Sequence, residues 1–186
     1  MTSQAVPDFA SVARDYVPHL RRYLLRQVGN EATASDLLQD TLLGISRGLA
    51  HFEGRASLKT WVFAIASRVA ADYLRHPERS RTIVDMEALM EMEGGETALD
   101  DRLEFDDMNQ CVREVIDSLP ADYRAALILH DLEDMDCAQT AAVLEISAGA
   151  ARVRIHRARA RLKAALQQQC GFYHDGENIL RCERQG

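Results

Sequence analysis

The sequence is short of everything that interrupts a helix. Four prolines and ten glycines are spread over 186 residues, and alanine, leucine, arginine and glutamate are abundant, so a mostly helical fold is expected. In the cytosol, where the readings below place the protein, its four cysteines are expected to be reduced unless they have a dedicated role. The N-terminal region has Asp8 and Arg14 and no apolar run, so no secretory signal is expected. No stretch approaches the roughly 20 apolar residues of a membrane span. The sequence shows no phosphate-binding glycine loop, no nucleophile motif and no metalloprotease signature, and its histidines are not spaced as ligands. The expectation is a cytoplasmic protein that is not an enzyme and needs no cofactor. Positive charge is scarce too: the net charge is −7, which argues against a nucleic-acid partner unless the bases are concentrated in one place.

They are concentrated between Asp136 and Lys163. Asp136 and Gln139 stand in capping-box spacing, and Thr140, Ala141 and Leu144 follow on an inward face. Glu145 and Ile146 make a break, and Ser147 is a good N-cap for a second helix. There Ala151, Ile155, Ala158 and Leu162 form one apolar stripe, while Arg152, Arg154, Arg157, Arg159, Arg161 and Lys163 occupy the other faces with no acid among them. Such a run is poorly suited to stabilising an isolated helix, because no i,i+4 pair offsets its repulsion. A helix-turn-helix whose second helix is basic fits the DNA major groove, where arginine grips phosphate or pairs with guanine. The plainer alternative is a helical hairpin with a solvated basic face.

Upstream, Phe9, Val12, Tyr16, Leu20, Tyr23, Leu24 and Val28 predict a first amphipathic helix, with Pro18 as a point of kinking and Gly29–Asn30 as its stop. A second helix is expected from about Thr33, with Leu37, Leu38, Thr41, Leu42, Ile45 and Leu49 on its apolar face and Asp36, Gln39 and Asp40 outward. A loop from His51 turns at Gly54 and feeds a third helix from about Ser57, which carries Trp61 and the bases Lys59, Arg68 and Arg75 and ends before Pro77. Aromatic and basic residues mixed in this way stack on unpaired bases and hold phosphate, although a lone tryptophan is more often core. Ten acids between Asp85 and Asp107, opposed only by Arg102, read as a solvated, flexible linker. A helix near residues 108–118 and another after Pro120 open the second domain.

Three blocks, ASDLLQDTLL, FEGRASLKTWVFAIASRVAADYLR and LPADYRAALILHDLEDMDCAQTAAVLEISAGAARVRIHRARARL, occur in an order and spacing that resemble a bacterial extracytoplasmic-function sigma factor, a promoter-specificity subunit of RNA polymerase. The resemblance implies an all-α protein of two small helical domains, residues 9–76 and 109–166, joined by the acidic linker 77–108 and followed by a tail, 167–186. It implies that Asp36, Leu37, Gln39 and Asp40 dock on the clamp coiled coil of the largest polymerase subunit. His51, Phe52, Glu53, Gly54, Arg55, Ser57, Lys59, Thr60 and Trp61 match the part that opens the −10 promoter element and captures a flipped base. Arg68, Asp72 and Arg75 match the helix contacting the upstream edge of that element. Ser147, Gly149, Ala150, Arg152, Arg154, Arg157, Arg159 and Arg161 match the helix that reads the −35 element. The implied partners are core RNA polymerase (clamp and flap), promoter DNA and an anti-sigma factor, and the implied regulon is of the stress type. The chain departs from the family at Glu145, where glycine is usual, at Thr140, where an apolar residue is usual, at Ala150, where threonine is common, and at Arg68, where asparagine is common. The promoter sequence is therefore not carried over.

The tail from Cys170 to Cys182 has Asp175–Gly176 as a turn signal. A hairpin centred there pairs Cys170 with Cys182, Phe172 with Leu180 and His174 with Asn178. Three readings stay open: an unreactive structural tail, a redox pair of Cys170 and Cys182, and a weak metal site of Cys170, His174 and Cys182, whose spacing matches no standard zinc signature. Two other readings of the whole chain compete with the sigma factor. A stand-alone helix-turn-helix regulator requires a dimer interface that the sequence does not offer, and a purely protein-binding pair of domains leaves the arginine-rich helix without a purpose.

Overall fold

The structure, a computed structural model, describes residues 8–76, 112, 114–174 and 180–184, the last two strands by their backbone. The N-terminal domain is three helices: α1 (Phe9–Val28), α2 (Glu31–Leu49) and α3 (Leu58–Arg75). Each starts on a side-chain cap that satisfies a backbone N–H otherwise left without a partner. Asp8 accepts from Ser11 N, Asn30 from Thr33 N at 2.9 Å and Ser57 from Thr60 N at 3.1 Å. Gly29 ends α1 in the left-handed conformation, with φ 72°, and its N–H bonds to Leu25 O. α2 therefore starts at once, two residues earlier than the apolar spacing places it, because Asn30 rather than a later residue is the cap. Pro18 lies inside α1 on its exposed side and does not divide it.

The core of this domain is the set of apolar stripes read from the sequence. Leu20, Leu24, Ile45, Val62 and Phe63 are fully buried, and Tyr23 meets Phe63 edge to face at 5.5 Å. Gly44 and Gly48 let α3 lie close on α2. A Cβ on Gly48 would come within 2.8 Å of the Trp61 ring, and one on Gly44 within 2.9 Å of Ile65.

The C-terminal domain has helical residues at 114–117, then α4 (Ala121–Leu127), a π-helical turn (Ile128–Leu132), α5 (Cys137–Leu144) and α6 (Ala148–Gln169). Val115, Ile128, Leu129, Met135, Val143, Ala151, Ile155 and Ala158 fill it, and its buried apolar residues run on into those of the first domain. The π turn was not legible in the sequence. It and the irregular stretch after it place Met135 in the core, with His130 Nδ1 on the Met135 carbonyl. The expected acidic linker, 77–108, lies outside the described residues.

α6 runs into β1 (Cys170–His174), which pairs antiparallel with β2 (Leu180–Arg184). The hairpin is present, but its register differs by two residues from the one centred on Gly176. Cys170 lies opposite Arg184, Phe172 opposite Cys182 and His174 opposite Leu180. A turn signal fixes where the chain reverses only to within a residue or so, and each such shift moves every pair. Cys170 and Cys182 are thus diagonal rather than facing. The register corrects the expected Cys170–Cys182 pairing, and the redox and metal readings of Cys170, His174 and Cys182 rest on side chains outside those described. Among the described residues no group of histidine, cysteine and acid side chains could hold a metal ion, and no helix is long and apolar enough to cross a membrane.

Candidate nucleic-acid and polymerase interface

The helix-turn-helix is built by its caps. In α5 Asp136 accepts from Gln139 N at 2.7 Å and Gln139 Oε1 accepts from Asp136 N at 3.0 Å, a complete capping box. Ser147 Oγ accepts from Ala150 N at 3.1 Å and opens α6. Between them Glu145 ends α5 in the left-handed region, with φ 55° and ψ 41°. This is the strained geometry that a residue with a Cβ pays for when it stands in a glycine position.

On α6 the arginines are not equivalent. Arg159 makes a forked pair with Asp131, which raises its pKa through the hydrogen bond, Arg154 sits 3.5 Å from Asp122 and is half-buried, and Arg161 lies over the Tyr123 ring at 4.8 Å. The acids missing from the helix itself are thus supplied from α4 and the π turn. Arg152 and Arg157 are exposed and have no ion-pair partner among the described residues. With Ser147, Gly149 and Ala150 at the exposed N-terminal end of α6, they form the surface free to meet DNA.

On α3 the predicted residues separate in the same way. Phe52 packs on Trp61 at 5.2 Å, so the tryptophan is half-buried, neither wholly core nor free. His51, Glu53, Gly54, Arg55 and Ser57 are exposed, Glu53 pairs with Arg55 at 2.5 Å, and Asp72 pairs with Arg75. Thr60 is only 4% exposed, and its hydroxyl meets that of Ser57 at 2.8 Å, so it stabilises the helix start and does not face a ligand. Lys59 and Arg68 are engaged by the other domain: the ammonium of Lys59 donates to Glu133 O, and Arg68 Nε donates to Glu145 Oε1 at 2.6 Å.

On α2, Asp36, Gln39 and Asp40 are exposed on adjoining turns, whereas Leu37 is 6% exposed and belongs to the core with Leu38 and Thr41. Leu37 therefore lies beneath the exposed face that Asp36, Gln39 and Asp40 form. Leu43, one turn further and 52% exposed, lies on that exposed face, an apolar residue left in water among polar neighbours. Its place on the outward i, i+3, i+4, i+7 stripe with Asp36, Gln39 and Asp40 was the available signal.

A helix-turn-helix with two exposed arginines that pair with no acid among the described residues, a second domain with an aromatic loop beside bases, and a polar face carrying one exposed leucine define a two-domain transcription protein. Comparison with known proteins gives the family. Residues 12–80 match Sigma-70 region 2, and residues 109–162 match Sigma-70, region 4. The RNA polymerase sigma factor CarQ of Myxococcus xanthus is 32% identical over 85% of this chain and 88% of that protein. The ECF RNA polymerase sigma factor EcfG of Rhodopseudomonas palustris is 32% identical over 81% and 80%. Among solved structures, the sigma factor RpoE of Bartonella quintana, in complex with the anti-sigma factor NepR, superposes with a TM-score of 0.64 at 25% identity, covering 86% of this chain and 97% of that one. The fold is shared too with CnrH, solved with the cytosolic domain of CnrY, at a TM-score of 0.60 and 23% identity. The chain belongs to the extracytoplasmic-function group of RNA polymerase sigma factors.

Proposed function

We propose that this sigma factor directs core RNA polymerase to promoters through three surfaces. The α2 face of Asp36, Gln39, Asp40 and Leu43 docks on the clamp. Leu43 supplies the apolar anchor that the three polar residues lack. The loop 51–57 with the Phe52–Trp61 pair receives an unpaired base of the −10 element, since a half-exposed aromatic ring beside Arg55 offers both a stacking face and a phosphate partner. The N-terminal end of α6 reads the −35 element with Arg152 and Arg157. The carrying observation is that, of the four arginines from Arg152 to Arg159, these two alone are exposed and without an ion-pair partner among the described residues. The protein performs no chemistry of its own, works in the cytoplasm and serves a stress-type regulon under an anti-sigma factor, as the Bartonella quintana relative's complex with NepR supports.

The test is transcription in vitro by core polymerase on fragments of the source genome, with and without the protein. New start sites that depend on it, sharing upstream sequences at two spacings, support the reading. No new start site, together with sequence-specific binding to a two-fold symmetric DNA site by the protein alone, would favour a stand-alone regulator.

A further inference from the structure

The two domains meet around a cleft of about 460 Å³. α1 and α3 supply one side of it, and α4, α5 and α6 the other. Ala70, Leu74, Ala125, Val143 and Leu144 give it largely apolar walls. Its volume falls in the range of roughly 300–1,000 Å³ usual for small-molecule sites, which combine such walls with a few placed polar groups.

One polar group in the cleft is unmatched. Gln27 lines it at 2% exposure, and its Nε2 finds no acceptor among the described residues. The adjoining Arg124 offers none: its Nη2 donates to Gln27 O at 2.9 Å, and its own Nε is buried without an acceptor. The surplus at this spot is of donors. A buried N–H without an acceptor is costly, so each one in a native fold calls for a physical reason.

The other polar side chains along the cleft are already engaged. Tyr23 is hydrogen-bonded to Ser67. Arg68 pairs with Glu145, Arg75 with Asp72, and Arg154 with Asp122 at 3.5 Å. An anion entering the cleft would have to displace one of these acids, or give up its water for a neutral amide. A phosphate or a nucleotide therefore fits poorly. An uncharged molecule meets neither cost, and its acceptor completes the donor that the fold leaves over.

We propose that this cleft binds a compact, uncharged molecule with an apolar body and one carbonyl-type acceptor, which takes the Gln27 N–H. The apolar body covers Leu74, Ala125, Val143 and Leu144. Because both domains build the walls, the ligand binds only where they are packed together and favours that arrangement by mass action. The site goes beyond promoter recognition and does not rest on it.

The experiment titrates the full chain with three ring compounds that differ in one group: acetophenone, with a neutral acceptor; ethylbenzene, with none; and benzoate, an anion. Backbone and side-chain amide NMR resonances read the binding. Acetophenone should shift the Gln27 side-chain amide and the backbone amides of Ala70 and Leu144 saturably. It should bind about tenfold tighter than either of the others, the gain from satisfying one buried donor. Gln27→Leu removes the donor and keeps the bulk, so acetophenone and ethylbenzene should then bind equally. Ala71→Phe, at an exposed position of the same cleft, should abolish the binding of both. It carries the test where circular dichroism shows that Gln27→Leu fails to fold. Equal affinity of the wild type for acetophenone and ethylbenzene, or a preference that survives Gln27→Leu, would overturn the assignment of the acceptor to Gln27. No saturable shift at any lining residue would overturn the site and leave the Gln27 donor to water alone.

Discussion

Replacing Glu145 with glycine should stabilise the protein even though it removes an ion pair. Glu145 is held at φ 55°, ψ 41°, where a Cβ crowds the following carbonyl at a cost of roughly 1–2 kcal/mol. Against that stands its pair with Arg68, whose two side chains are more than half exposed, a contact worth about 0–1 kcal/mol. The backbone effect is the larger, so Glu145→Gly should gain on the order of 1 kcal/mol. Glu145→Ala loses the same ion pair and keeps the Cβ, so it should lose up to about 1 kcal/mol. The contrast between the two variants isolates the backbone, because the electrostatic loss is common to both. Urea unfolding followed at 222 nm, with equal slopes in all three proteins, gives the order Gly above wild type above Ala. Glycine equal to or below alanine would refute the account, since it would mean that the left-handed turn carries no strain for other surrounding contacts to offset.

Three further outcomes follow from single observations. Tyr23 is fully buried, and burial pushes its phenol up to about 12, with a Ser67 hydrogen bond pulling the other way. The unfolded phenol ionises near 10, so the raised value leaves stability untouched below that pH and removes roughly 3 kcal/mol as pH climbs to about 12. In an ultraviolet titration Tyr23 should be the last tyrosine to ionise, together with alkaline unfolding, and Tyr23→Phe should move that unfolding to higher pH. Gly48→Ala drives a methyl into the Trp61 ring, which Phe52 backs, and should cost about 1–3 kcal/mol. A tryptophan emission spectrum identical with the wild type at unchanged stability would contradict that packing. Arg152→Ala or Arg157→Ala should weaken binding to −35 DNA by about 1–3 kcal/mol where a base is read, or lower the salt slope by about 1 where a phosphate is held. Arg159→Ala should instead act chiefly on stability, through Asp131, and equal binding losses at all three positions would show the exposure argument to be wrong.

How far the sequence could be read depended on whether the physics was local. The caps at Asp136, Gln139 and Ser147 and the stripe Ala151–Ile155–Ala158 were legible because a cap and a helical face are decided within a few residues. The hairpin's existence was legible for the same reason, but its register was not, since Asp175–Gly176 marks a reversal without fixing which residues oppose. The acid-free helix looked more basic than it is. Its neutralising partners, Asp122 and Asp131, lie about thirty residues away and show no periodic relation to Arg154 and Arg159. Glu133 was invisible for the converse reason: an acid in ILHDLEDMD reads as solvated loop, and only the approach of α1 and α3 from more than seventy residues upstream turns it into a buried acceptor. Arg68 and Glu145 fall between these cases. Each was visible as a departure from the family, the one as a base where asparagine is common, the other as a strained residue in a glycine position. Taken singly, each counts only as a cost. Packing places them 2.6 Å apart, Nε to Oε1, so that one departure supplies the partner of the other. Neither departure has a local physical reason that the sequence could show, because the contact that joins them exists only once the two domains are packed.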